Sequence, residues 1–309
     1  MDLISNLSLG FGVAFTPINL LYAFIGVVLG TLIGVLPGVG PVATIAMLLP
    51  ATYALPPVAA LIMLAGIYYG AQYGGSTTAI LVNLPGESSS VVTCLDGYQM
   101  ARNGRAGPAL AAAGIGSFFA GSVGVMILAA FAPPLTELAF KFGPAEYFSL
   151  MVLGLIGAVV LASGSLLKAV AMIVLGLLLG IVGTDVNSGV ARFSMDIPEL
   201  TDGLGFVVVA MGVFGYGEII MNLSKPEDQR EVFTANVTGL FPTKQDFIRC
   251  FPAVLRGTAI GSALGILPGG GALLSAFASY TIEKKMKLKP GEVPFGKGNI
   301  RGVAGPESA

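Results

Sequence analysis

The chain has 309 residues, of which 54% are apolar and only 11% charged, whereas a soluble domain carries about 25% charged residues. So few charges cannot cover a water-exposed surface of this size, and the mean hydropathy of +0.84 marks a polytopic membrane protein. Basic residues number 16 against 17 acidic ones, which leaves no positive excess for nucleic acid. No histidine occurs, which removes Ser-His-Asp and Cys-His hydrolases, two-histidine zinc sites and histidine proton relays.

Along the chain, Met1 to Thr16 contains no basic residue and so lacks the n-region of a signal peptide. Apolar runs near the ~20 residues needed to cross a bilayer lie at 18–36, 56–73, 107–131, 145–163, 165–183 and 204–222. Shorter or broken apolar segments cover 41–55, 76–84 and 247–282. About seven to nine membrane segments are expected, some not full spans. Pro133-Pro134 reads as a break, and Asp185, Asp196, Glu199 and Asp202 as an acidic connection. Lys168 is read as lying at a span boundary, with its ammonium reaching water. Asp96, Arg102 and Arg105 read as a solvated connection where the chain returns to water. Two basic stretches, Lys225 to Arg256 and Lys284 to Arg301, are expected on the cytoplasmic side. Cys94 and Cys250 form no CxxC pair and read as small apolar residues.

An internal repeat divides the chain. Gly26-Val-Val-Leu-Gly30-Thr-Leu-Ile-Gly34-Val-Leu36-Pro37-Gly38-Val-Gly40 matches Gly257-Thr-Ala-Ile-Gly261-Ser-Ala-Leu-Gly265-Ile-Leu267-Pro268-Gly269-Gly-Gly271 at a constant offset of 231. Glycine at every fourth position leaves a flat helix face for close packing. Leu-Pro-Gly-x-Gly then stops the helix, because proline removes a donor and glycine tolerates a reversal. Broken backbone at membrane depth survives only where protein buries it or a watery cavity meets it. Paired interrupted segments in two halves point to a transporter binding site. The expected fold is an all-α polytopic membrane protein with internal, inverted repeats and re-entrant helical hairpins whose tips are Pro37–Gly40 and Pro268–Gly271. Residues 1–222 form the first repeat, 223–246 a polar connection and 247–309 the start of a second repeat. The plainer reading is that the motifs are kinks and packing contacts alone.

Around the first tip the sequence gathers Ser76, Thr77, Thr78, Asn83, Pro85, Gly86, Glu87 and Ser88. Hydroxyls and exposed backbone N–H groups suit a carboxylate. Backbone carbonyls with Asn83 or serine oxygens suit a desolvated Na⁺. Pro85-Gly-Glu87-Ser88 is echoed by Gly305-Pro-Glu307-Ser308, which places Glu87 and Glu307 in equivalent positions as cation ligands or proton carriers. The alternative for each glutamate is a helix cap or a surface charge. Gly38-Val-Gly40-Pro-Val-Ala43 fits a dinucleotide pattern but lacks the strand context and the downstream acid. No Walker A sequence occurs, so no nucleotide drives the protein directly.

The runs G-V-L-P-G-V-G-P (34–41), Y-G-G-S-T-T-A-I-L-V-N-L-P-G-E-S-S-S (73–90), D-G-Y-Q-M-A-R-N-G-R-A-G-P-A-L (96–110), G-I-L-P-G-G-G (265–271) and F-G-K-G-N-I-R-G-V-A-G-P-E-S-A (295–309) resemble the large membrane subunit of tripartite tricarboxylate transporters, the TctA family. The resemblance runs over the whole chain. It implies a bacterial inner-membrane secondary transporter that takes up citrate-like di- and tricarboxylates with Na⁺ or H⁺ as coupling ion and no other cofactor. It also implies a small integral membrane subunit and a periplasmic solute-binding protein as partners. On this chain the family reading falls on Gly38, Gly40, Ser76, Thr77, Thr78, Asn83, Pro85, Gly86, Ser88, Gly269, Gly271 and Ser308 for substrate. Glu87, Glu307 and Asn83 are its residues for ion coupling. Family members continue beyond P-E-S-A, so the chain is expected to be an N-terminal fragment with an incomplete second repeat. A channel or passive anion pore is the second class of function; an intramembrane enzyme is a third, disfavoured by the missing histidine.

Overall fold

A computed structural model describes residues 3–37, 39–139, 141, 143–161, 165–185, 188–205, 208–209, 211–217, 220, 224, 239–265 and 271–309. Gly38 and 266–270, and with them Gly269 and most of the second tip, lie outside the described residues, as do parts of the expected span at 204–222. The described chain is helical apart from a two-residue antiparallel pair, β1 (Gly183–Thr184) with β2 (Ala191–Arg192).

Helices α1 (Leu3–Ala14), α2 (Pro17–Gly34) and α3 (Gly40–Leu48) open the chain. Pro17 at the first turn of α2 loses nothing, since its missing N–H would have had no partner there. Gly40 starts α3 at φ +64°, a conformation that favours glycine. A 3₁₀ turn, Leu49–Thr52, follows. Then α4 (Pro57–Val82) runs for 26 residues, about 39 Å at 1.5 Å per residue. It joins the apolar run at 56–73 to the segment at 76–84 in one helix. Gly74-Gly75-Ser76-Thr77-Thr78 stays helical because all three hydroxyls bond carbonyls of the preceding turn: Gln72, Tyr73 and Gly75. Asn83 ends the helix at φ 58°.

After α5 (Val91–Arg102), α6 (Ala106–Ala139) continues through Pro133-Pro134. The break expected there is absent, as membrane helices tolerate proline when neighbouring groups re-satisfy the freed carbonyls. Helices α7 (Pro144–Leu161), α8 (Leu166–Gly180) and the short α9 (Pro198–Thr201) precede α10 (Lys244–Leu264), α11 (Gly271–Lys285) and α12 (Arg301–Glu307). Lys168 is exposed in the first turn of α8. Among the described residues, two stretches are long and apolar enough to cross a membrane by length and composition, α2 and Ala106–Phe131 of α6.

The glycine stripes decide the packing. Gly26, Gly30 and Gly34 of α2 lie against the backbone of Met63, Ile67 and Ala71 in α4. Gly66, Gly70 and Gly74 of α4 return the contact onto Ala23, Val27 and Thr31. Gly257 and Gly261 of α10 meet the carbonyls of Gly305 and Ala309 in the same way. Residues 305–309 thus sit on their glycine stripe as 63–67 sit on theirs, not as 85–88 do. Consistently, Gly305-Pro-Glu307 is helical, whereas Pro85-Gly-Glu87-Ser88 is an irregular bend. The sequence echo between the two glutamates is therefore not an equivalence of backbone position, because the glycine contacts fix a different register.

A core built by Ile80, Met100, Leu110, Val254, Ile300 and Val303 ties α4, α5, α6, α10 and α12 together. Both cysteines are buried free thiols, and Cys250 belongs to this core. Polar connections are pinned at its border. Thr243 and Asp246 form a capping box on α10, and Arg105 donates to Asp246 at 2.6 Å. Burial alone would raise the Asp246 carboxyl, but the Arg105 and Thr243 hydrogen bonds outweigh it and hold it below the ordinary aspartate value. Glu283, fully buried, pairs with Arg256 and Arg301, and Arg301 also reaches Glu292 at 3.0 Å.

Asp96 departs most from expectation. It is 0% exposed rather than solvated. Its Oδ1 accepts from the backbone N–H groups of Gly296, Gly298 and Asn299 at 2.8, 2.9 and 2.8 Å, and its Oδ2 accepts from the Tyr280 hydroxyl at 2.9 Å. Gly296 and Gly298 both have positive φ, 78° and 104°, so their N–H groups converge into a concave anion seat. The carboxylate thereby fastens α5 to the loop that leads into α12.

Candidate functional site

A cavity of about 400 Å³ lies between α4, the bend at 85–90, α6, α10, the start of α11 and α12. Its polar lining comes from Gln72, Tyr73 and Ser76 of α4, Glu87, Ser89 and Ser90 of the bend, Ser117 of α6, Thr258 and Ser262 of α10, and Glu307 and Ser308. Tyr69, Gln72, Tyr73 and Ser76 fall on one helical face, since positions three and four apart are neighbours. Among the described residues, no lysine or arginine lines the cavity.

Glu307 reaches this cavity because Asp96 and the Glu283–Arg301 pair hold the entry to α12. Ser76 donates to its Oε2 at 2.8 Å and Thr93 to its Oε1 at 2.5 Å. Ser117 donates to its backbone carbonyl at 2.8 Å. Glu87 accepts from Ser89 at 2.7 Å through Oε1, and its own N–H donates to the Ser90 hydroxyl at 3.2 Å. Neither glutamate has an ion pair among the described residues. Among the described residues, two oxygens buried at this place have no hydrogen-bond partner: Gln72 Oε1 and Ser308 Oγ, the latter on a residue 2% exposed. Such oxygens are the type that a ligand or ion satisfies.

Of the residues singled out from the sequence, Ser76, Glu87, Glu307 and Ser308 share this cavity. Gly40 lies beside it, where an added Cβ would be 4.0 Å from that of Glu87. The others support rather than line it. Gly86 lies against the backbone of Gly75, where a Cβ at Gly86 would come 2.2 Å from the Gly75 Cα. Pro85 is buried beneath the bend and Ser88 is half-buried. Thr77 and Thr78 use their hydroxyls within α4, and Asn83 caps it. Gly271 packs against Leu264 and Gly265 at the start of α11. Gly38 and Gly269 fall outside the described residues.

Gln72, Thr93, Ser117, Thr258 and Ser262 escaped the sequence reading. Gln72 was visible in principle, standing four residues before Ser76 on one helix face. Thr258 and Ser262 each follow a stripe glycine by one residue, which carries them around the helix from the packing face. Nothing local distinguishes Thr93 or Ser117, whose partner lies about two hundred residues away.

The family model described as the tripartite tricarboxylate transporter TctA family matches residues 20–309. A protein of Agrobacterium vitis, described as an uncharacterized 52.8 kDa protein in the TAR-I ttuC' 3' region, is 62% identical over 309 residues. That match covers 100% of this chain and 61% of the relative, so the chain spans less than two thirds of the relative's length. A second protein of Agrobacterium vitis, described as an uncharacterized protein in the TAR-II ttuC' 3' region, is 61% identical over 49 residues, 16% of this chain and 19% of that protein. No solved structure matches the chain. With a family model spanning nearly all of it, the chain belongs to the tripartite tricarboxylate transporter TctA family, a family of membrane transporters.

Proposed function

We propose that the chain supplies the substrate- and ion-handling part of the large permease subunit of a bacterial inner-membrane secondary transporter. Its substrates are citrate-like di- and tricarboxylates, taken up with Na⁺ or H⁺. A small membrane subunit and a periplasmic solute-binding protein complete the system. The observation that carries this reading is the cavity itself: hydroxyl and amide side chains and two carboxylates, gathered from helices far apart in sequence. Hydroxyls and backbone N–H groups suit the oxygens of a polycarboxylate, and carboxylates at such depth act as cation or proton carriers. In this reading two inverted repeats meet at a midplane site, and one bundle rocking against the other gives alternating access.

The test is transport by the full-length protein reconstituted with its partner subunits. Labelled citrate accumulates only under an imposed Na⁺ or proton gradient. Gradient-independent flux assigns a channel instead, and no flux of any di- or tricarboxylate removes the assignment.

A further inference from the structure

Charge balance in the cavity differs from that in the rest of the molecule. Glu283 is buried against two guanidinium groups, Asp246 against Arg105, and Asp96 against three backbone N–H groups and a tyrosine hydroxyl. Glu87 and Glu307 have neutral partners, serine and threonine hydroxyls and for Glu87 also the Gln72 side chain, and neither has an ion pair among the described residues. The titratable groups that face them are Tyr68, Tyr69 and Tyr73 of α4 and Cys94 of α5. Among the described residues, α6, α10 and α11 bring no charged side chain to the cavity. Beside the two carboxylates, the buried Ser308 Oγ and Gln72 Oε1 have no hydrogen-bond partner among the described residues. Oxygen atoms in surplus over donors are the surroundings that a small monovalent cation or a proton completes.

A di- or trianion cannot share so small a space with two uncompensated carboxylates, because like charges in a desolvated site cannot all remain ionised. We propose that Glu87 and Glu307 form one neutralisation site that must take up two monovalent positive charges, Na⁺ or H⁺, before the polycarboxylate enters. Loading is then ordered, positive charge first, with at least two coupled charges per substrate. This rests on the carboxylate-uptake reading above and adds to it the order and the minimum count.

Citrate binding to the full-length protein tests the order in three buffers: alkaline NaCl, alkaline choline chloride and mildly acid choline chloride. Affinity in alkaline choline is expected to fall about a hundredfold, the upper range of ordinary coupling between sites. Recovery with Na⁺ identifies Na⁺ as the neutralising charge, and recovery with acid identifies protons. The double variant Glu87→Gln with Glu307→Gln is expected to bind citrate with much reduced dependence on either. Thermal unfolding of the unmodified protein supplies a second measure: Na⁺ or acid without citrate stabilises it, while citrate alone in alkaline choline does not. Citrate binding by the unmodified protein that ignores the buffer, or stabilisation by citrate alone, overturns the ordered loading and leaves the uptake reading standing. Absence of citrate binding in every buffer overturns the uptake reading and the order with it.

Discussion

Gly30→Ala tests the glycine crossing between α2 and α4 directly. A methyl group at Gly30 would lie 2.8 Å from the Cα of Ile67 and closer still to its carbonyl oxygen, whereas ordinary contact begins at 3.4 Å. The shortfall of at least 0.6 Å falls on backbone, which no rotamer change relieves. The helices must part, and every neighbouring contact along the stripe loosens with them. Overpacking of this kind costs about 1–3 kcal/mol, set against a gain of about 1 kcal/mol from replacing glycine in a helix. Gly10→Ala and Gly176→Ala make the control, because nothing lies within 4 Å of a methyl at either place; they keep the propensity gain alone. In thermal unfolding of the detergent-solubilised protein, Gly30→Ala should unfold several degrees below both controls. Equal unfolding temperatures for all three would refute the close crossing and the reason given for glycine there.

Three further outcomes follow from the same contacts. Thr93→Val strips one hydroxyl from the buried Glu307 and should cost roughly 1–3 kcal/mol; a double-mutant cycle with Glu307→Gln should recover most of it as coupling, and additive effects would contradict the contact. Asp96→Asn should accelerate hydrogen exchange at the Gly298 and Asn299 amides, whose acceptor is weakened, while the α2–α4 crossing keeps its protection; unchanged exchange would deny the anion seat. Asp246, held below the ordinary aspartate value mainly by Arg105 against its burial, contributes stability that is present above about pH 3.9 and lost as pH falls through its lower folded value. Arg105→Ala should therefore be less stable at neutral pH and show a shallower loss on acidification, whereas parallel acid-unfolding curves would rule the pair out as a contributor.

Local chemistry was readable where the chain responds to its own neighbours. Proline at 17 and 57 marks helix starts, and Asn83 before Leu-Pro-Gly marks a stop. The glycine spacing at 26, 30 and 34 announces a packing face, and the same spacing at 66, 70 and 74 supplies its partner. The apolar run at 56–73 and the segment at 76–84 read as separate but fold as one helix, and the hydroxyls of Ser76, Thr77 and Thr78 between them each find a carbonyl one turn back. Asp96 misled as well: an aspartate beside two arginines reads as solvated, yet its partners are backbone N–H groups about two hundred residues away. A backbone donor has no sequence signature.

Composition and spacing by themselves determined a helical, membrane-type chain, its glycine-lined helix faces and the two glutamates worth following, because these depend on residue type and on contacts within a few turns. Only the tertiary structure decided that Ser76 meets Glu307 across 231 residues, that Glu87 and Glu307 share one cavity with no basic residue among its described lining, and that Gly305 and Ala309 lie on the glycines of α10 rather than forming a copy of the bend at Glu87. Those are matters of which surfaces the packed glycine faces bring together, and no short stretch of sequence contains both sides of such a contact.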